Sequence, residues 1–221
     1  CIGSCTNSSV RDLSVAAAVL KGRTVHPEVS LLVTPGSRQV MQMIADSGVL
    51  ATFIAAGARV LESACGPCIG QGAAPAENTV SVRTSNRNFE GRSGTAKDMV
   101  LLASPEVAAV AAMFGEVRDP RACGLTYPSI GDPERFSVDD RMIVAPPPPA
   151  ERAAVEILRA STIGPPPANT PLPTDINGIV LIKVGDKITT DHIMPAGPFL
   201  KLRSNIPEYA KAVFFSLNEP G

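Results

Sequence analysis

The chain has 221 residues, of which 44% are hydrophobic and 19% charged. That is one large domain or two smaller ones, with enough apolar content to exclude wholesale disorder. Twenty Lys+Arg against 21 Asp+Glu leave a net charge of −1, which excludes a strongly basic nucleic-acid binder and a polyacidic tail. No apolar run is long enough to predict a transmembrane helix.

The predicted elements begin at Ser9, an N-cap serine with Asp12 three residues on. Leu13, Ala16, Ala17 and Leu20 then line one helical face, and Gly22 can stop the helix. Residues 29–33 read as a buried strand, 37–46 as a helix closed by Gly48, and 50–56 as a helix closed by Gly57. Residues 59–61 form a short strand leading toward Cys65, and 79–83 a further strand. Ser104, Pro105 and Glu106 supply a cap, a first-turn proline and a first-turn acid for a helix over 108–114, with Gly115 after it. Strands alternating with helices predict an α/β domain with a parallel sheet and helices on both sides, over about 1–142. Ligands of such sheets gather at the loops after the strand ends.

Proline usage then shifts. Pro146–Pro149 and Pro165–Pro167 bracket a short helical stretch at 150–160, and stiff polyproline-like backbone suits a linker at 143–175. A second piece, 176–221, opens with a predicted strand at 179–184. It continues into a polar, Gly/Pro-rich loop from Thr189 to Pro198. Cys1 in place of an initiator Met, and an ending on Pro220 and Gly221, suggest an internal piece of a longer protein.

Cysteines occur at 1, 5, 65, 68 and 123. The odd count and the chain length argue against a disulfide framework, so a reducing compartment is expected: the cytoplasm, with the mitochondrial matrix as the alternative. Cys5 directly precedes the first helix, and Cys65-Gly66-Pro67-Cys68 is a C-x-x-C. The spacing alone leaves four readings open: a thiol–disulfide redox pair, half of a zinc site, an iron–sulfur site with Cys5, and buried structural cysteines. Only His26 and His192 exist to complete a zinc site. Cys1 and Cys123 sit in no ligand-like context.

The surrounding residues break that tie. Gly3-Ser4-Cys5-Thr6-Asn7-Ser8 and Ala64-Cys65-Gly66-Pro67-Cys68-Ile69-Gly70-Gln71 resemble the two cluster signatures of the aconitase superfamily. Thr84-Ser85-Asn86-Arg87-Asn88-Phe89-Glu90-Gly91-Arg92 resembles its substrate loop, and Thr189 to Pro198 the opening of its C-terminal swivel domain. The resemblance implies a [4Fe-4S] cluster held by Cys5, Cys65 and Cys68, with one iron lacking a cysteine. An open iron acts as a Lewis acid rather than an electron carrier. It implies substrate contacts from Asn86, Arg87, Arg92 and Arg203, since arginine forks suit carboxylates. Asp191 and His192 would take supporting roles. Met194 stands where one branch of the family has a serine, which removes a hydrogen-bond donor.

The leading functional expectation is aconitate hydratase, interconverting citrate and isocitrate in the tricarboxylic acid cycle as a monomer. The substrate would be a small tricarboxylate, with neither a membrane nor a nucleic acid as partner. The near alternative is isopropylmalate dehydratase or homoaconitase, in most of which the swivel domain is a separate subunit. Here the linker runs straight into that piece, and Arg203 suits a third carboxylate. A remoter alternative is an RNA-binding regulator of the family, to which net charge −1 and an aromatic content of 7 Phe, 2 Tyr and no Trp lend no support. The family's proton-transfer residues fall outside the chain, so the catalytic residues are unknown and the isolated chain is expected to be inactive.

Overall fold

The computed structural model describes residues 1–195 and 199–217. The chain divides into two compact units, 1–144 and 145–221.

In the first unit, α1 (Val10–Leu20) starts where Ser9 and Asp12 close a reciprocal capping box. The Asp12 N–H donates to Ser9 Oγ at 3.2 Å, and the Ser9 N–H to Asp12 Oδ2 at 3.0 Å. α2 (Arg38–Asp46) is capped by Ser37, and α3 (Val49–Ala56) ends at Gly57 in the left-handed region. α4 (Pro105–Phe114) takes Ser104 as its cap and Pro105 in its first turn. α1 packs against α4, α3 and α2, α3 against strand β2 (Arg59–Val60), and α4 against strand β3 (Val80–Arg83). Ile2, Leu13, Leu20, Val33, Ile44, Phe53 and Val110 form the buried centre of this packing.

The strands run parallel. β1 (Leu32–Val33) pairs with β2, and β3 pairs with β4 (Met99–Leu102). β4 has no counterpart among the sequence expectations, and the strand expected over 29–33 is confined to Leu32 and Val33. Residues 1–3 join the two pairs. Ile2 bridges Val33 in parallel, its N–H donating to Leu32 O at 2.8 Å. On the other side the Cys1 amine donates to Val82 O at 2.7 Å, and the Thr84 N–H donates to Cys1 O at 3.1 Å. The lateral order is therefore β2, β1, residues 1–3, β3, β4. The chain starts in the middle, builds two strands outward on one side, then two on the other. This is the order of a doubly wound sheet, whose crevice opens at the carboxyl ends between the first strand and the strand across the reversal. The β2–β3 connection carries only a 3-10 turn, Pro67–Ile69, and the β3–β4 connection only turns.

In the second unit two expectations fail. Residues 150–160 hold one 3-10 turn, Arg152–Ala154, in place of a helix. Val155, Ile157 and Leu158 are exposed, and a helix this short needs an apolar face packed on something. Residues 179–184 form no strand, with Ile179, Val180 and Leu181 all exposed. A strand needs a neighbour for its backbone donors and acceptors, and none pairs with it among the described residues. The unit's ordered contacts lie further on. Phe199 and Phe215 meet edge to face at 5.1 Å, and Tyr209 Oη donates to Pro195 O at 3.0 Å. No single helix among the described residues is long and apolar enough to cross a membrane.

Candidate functional site

Three loops leave the carboxyl edge of the sheet. The first follows residues 1–3 and carries Cys5. The second follows β2 and carries Cys65 and Cys68. The third follows β3 and carries Asn86, Arg87 and Arg92.

The first and third loops are tied across the crevice. The Gly3 N–H donates to Thr84 Oγ1 at 2.8 Å, and Asn7 Nδ2 donates to Thr84 O at 2.6 Å. Asn7 takes φ 51° to do this, a left-handed conformation that asparagine tolerates better than most residues. Gly3 is needed for the approach, because a Cβ there would lie 2.2 Å from Thr34 O. Cys5 is exposed near the start of this loop.

The second loop is tied to the third. Gly66 opens a tight turn over Pro67–Ile69 that Gly70 closes. Cys65 is exposed and Cys68 buried. Arg92 Nε donates to Cys68 O at 3.0 Å, and its Nη2 lies 3.7 Å from Cys68 Sγ. The Arg92 guanidinium also stands over the Phe89 ring at 5.8 Å. Arg83, at the end of β3, donates from Nη1 to Pro67 O and from Nε to Ser81 Oγ at 2.8 Å. Two guanidinium groups therefore hold two consecutive carbonyls of the Cys-x-x-Cys turn. Arg83 is 2% exposed. Burial draws its pKa below the ordinary value, while the charges of Asp98 and Cys68 pull it back up; arginine starts so high that it stays protonated.

The sequence-predicted residues separate accordingly. Asn86 and Arg87 are exposed on the third loop, open to an anionic ligand. Arg92 is half-buried and turned toward Cys68. Asp191, His192 and Arg203 belong to the second unit. There Thr190–Ile193 is a single helical turn, and His192 Nδ1 accepts from the Thr189 N–H at 2.9 Å, a local structural tie. Arg203 is exposed after the 3-10 turn Leu200–Leu202. Residues 196–198 of the swivel-like motif lie outside the described residues. Cys1 lies in the central strand, and Cys123 Sγ is 3.3 Å from Asp119 O. Sequence reasoning missed Asn7, Arg83 and Thr84. The available signal for Arg83 was an arginine in a four-residue strand whose other members are Val80, Ser81 and Val82.

All five cysteines are free thiols. Among the described residues no three Cys, His, Asp or Glu side chains close on a single metal ion. A cluster differs from an ion in size and in what it accepts. Thr6 Oγ1, beside Cys5, and Ser93 Oγ, beside Arg92, are buried without a hydrogen-bond partner, and such donors normally face an acceptor. Free thiols on two loops of one sheet edge, with unpartnered hydroxyls on neighbouring loops, fit the donor set of a sulfide-bridged cluster.

Comparison with known proteins decides the family. The sequence model described as "Aconitase family (aconitate hydratase)" matches residues 1–115, the sheet, all four long helices and the three loops. The chain belongs to the aconitase family. Aconitase-family enzymes use a [4Fe-4S] cluster, in keeping with these thiols. Among curated relatives, the 3-isopropylmalate dehydratase large subunit 2 of Archaeoglobus fulgidus is 47% identical over 122 residues, covering 54% of this chain and 29% of that protein. The 3-isopropylmalate dehydratase large subunit of Moorella thermoacetica is 48% identical over 120 residues, covering 54% and 28%. The homoaconitase large subunit of Thermus thermophilus is 48% identical over 122 residues, covering 54% and 29%. The chain thus spans under a third of the length of the relatives it matches.

Proposed function

We propose that this aconitase-family chain carries the cluster-binding and carboxylate-binding loops of a hydro-lyase of the isopropylmalate dehydratase type. The observation behind this is the agreement of the relatives' names. At 47–48% identity they are isopropylmalate dehydratase or homoaconitase large subunits. This favours the nearer alternative over the citrate–isocitrate expectation. The designation "large subunit" also speaks against the monomer expectation and for a small-subunit partner. A place in the tricarboxylic acid cycle loses its support for the same reason; a reducing compartment remains part of the proposal.

Asn86 and Arg87 would meet a substrate carboxylate. The guanidinium fork fits two oxygens at once, and an adjacent amide can add a third hydrogen bond. Arg92 would hold the Cys68 turn beside the same anion. Cys5, Cys65 and Cys68 would ligate the cluster, which when bound supplies Lewis acidity for loss of a hydroxyl group. Thr84, joined to Gly3 and Asn7, keeps the Cys5 loop and the arginine loop in register. Isopropylmalate presents two carboxylates and a branched alkyl group, so two anion contacts suffice and Arg203 is not required at the site.

The test uses the natural full-length protein with its small subunit, reconstituted anaerobically with iron and sulfide. Ultraviolet absorbance follows formation of the unsaturated acid from 3-isopropylmalate, homoisocitrate and isocitrate in parallel. Turnover of 3-isopropylmalate is expected, and Cys65→Ser should remove both the turnover and the cluster absorbance. Turnover of isocitrate alone would return the protein to aconitate hydratase. Turnover of homoisocitrate alone would move it to homoaconitase.

A further inference from the structure

We infer that Arg83 is a positioning residue for the cluster, a buried cation that fixes the Pro67–Cys68 peptide and biases the electron count of whatever those thiolates hold. The inference rests on the cluster reading above. It concerns a residue outside both cysteine motifs and outside the Asn86–Arg92 loop.

Arg83 ends β3, and its side chain is 2% exposed. Burying a guanidinium is costly unless its donors are used and a counter-charge is near. Two donors are used locally, on Ser81 Oγ and Pro67 O. Pro67 O already accepts from the Gly70 N–H at 3.1 Å, so Arg83 adds a second, charge-assisted bond to a turn already closed. The turn therefore does not need Arg83 merely to form. Asp98 and Cys68 are the groups whose negative charge acts on the guanidinium. Cys68 is one of the three expected ligands, and Arg92 reaches its carbonyl and sulfur from the other side. One cation grips the carbonyl before Cys68, the other the carbonyl of Cys68 itself. A fixed positive charge beside a thiolate-bound cluster favours the reduced form, which carries one more negative charge.

The experiment is a redox titration of the reconstituted full-length protein, read by the spectrum of the one-electron-reduced cluster, together with iron content per chain. Arg83→Gln keeps a donor at the position of Nε, for Ser81 Oγ, and removes the charge. It should assemble the cluster but shift the reduction equilibrium about tenfold against the reduced form, 59 mV for a one-electron couple. Arg83→Lys keeps the charge and should stay near the wild-type potential. An unchanged potential in Arg83→Gln at full iron content overturns the inference, as does an equal shift in Arg83→Lys. Should Arg83→Gln fail to fold, Ser81→Ala carries the test by freeing the guanidinium to turn away. A chelator should then strip its iron about tenfold faster, and an unchanged rate overturns the inference. A wild-type protein that takes up no iron would defeat the cluster reading itself, a different result from any of these.

Discussion

Gly70 closes the cysteine turn at φ +75°, and its replacement by alanine should be among the costlier single-methyl additions in the chain. A Cβ there would lie 2.1 Å from Ser93 O, 2.5 Å from Ser93 C and 2.8 Å from Gly94 Cα. All three are backbone atoms, so no side chain can swing aside, and the Cys68 loop and the Arg92 loop must separate. Gly72 is the matched control. It sits two residues on, at φ +68°, with nothing within 4 Å of the added methyl. Gly72→Ala carries only the left-handed penalty, about 1–2 kcal/mol. Gly70→Ala adds an overpacking cost of about 1–3 kcal/mol, for a total of about 2–5 kcal/mol. Urea titration of the two variants measures the difference at constant slope. Alkylation of Cys68, which is 5% exposed, should accelerate in Gly70→Ala alone. Two variants within about 0.5 kcal/mol of each other, with equal alkylation rates, would refute the close contact between the loops.

Two further outcomes follow from the same packing. Phe53 is fully buried at the centre of the helical layer, so Phe53→Ala should cost about 3–5 kcal/mol, measured by thermal or urea unfolding. At the start of α4, Tyr127 Oη donates to Glu106 Oε1 at 2.8 Å. Burial raises the pKa of Glu106, but hydrogen bonds from Ser104, from its own backbone N–H and from Tyr127 hold it below the ordinary glutamate value. A carboxylate lowered in the folded state stabilises at neutral pH and loses that contribution as the pH falls through its folded value. Tyr127→Phe should therefore be slightly less stable than wild type at pH 7, and the two melting temperatures should converge below about pH 4.

Local signals carried much of the first unit. Ser9 with Asp12, and Ser104 with Pro105, marked their helices because capping is decided within four residues of sequence. The cysteine and Asn-Arg loops were legible as motifs, and the sheet places their loops on one edge. What stayed hidden depends on neighbours distant in sequence. β4 is a short apolar run that is recognisable as a strand only by its pairing with β3. The apolar runs at 150–160 and 179–184 showed the opposite error, a good pattern with nothing to pack on. Arg83 is invisible because a lone arginine in a strand usually points to solvent. Here its partner is a carbonyl 16 positions away. Arg92 was expected on substrate, and its direct hold on Cys68 became visible only when the two loops were seen side by side.

The placement of residues 1–3 in the middle of the sheet has a consequence for how the protein folds. Their bonds to Val82 and to Thr84 Oγ1 each close a span of 81 residues. The pairing with Leu32 and the packing of α1 on α3 involve far shorter spans, and so cost less chain entropy to form. The half built from residues 1–60 can therefore collapse early, leaving one edge of its innermost strand unpaired. The half built from β3 and β4 docks on that edge afterwards. Asn7 meets Thr84 only at this late step, so the crevice that brings cysteines and arginines together is among the last parts to assemble. A chain stalled just before that point would have α1 to α3 packed without α4, an aggregation-prone central strand and no site.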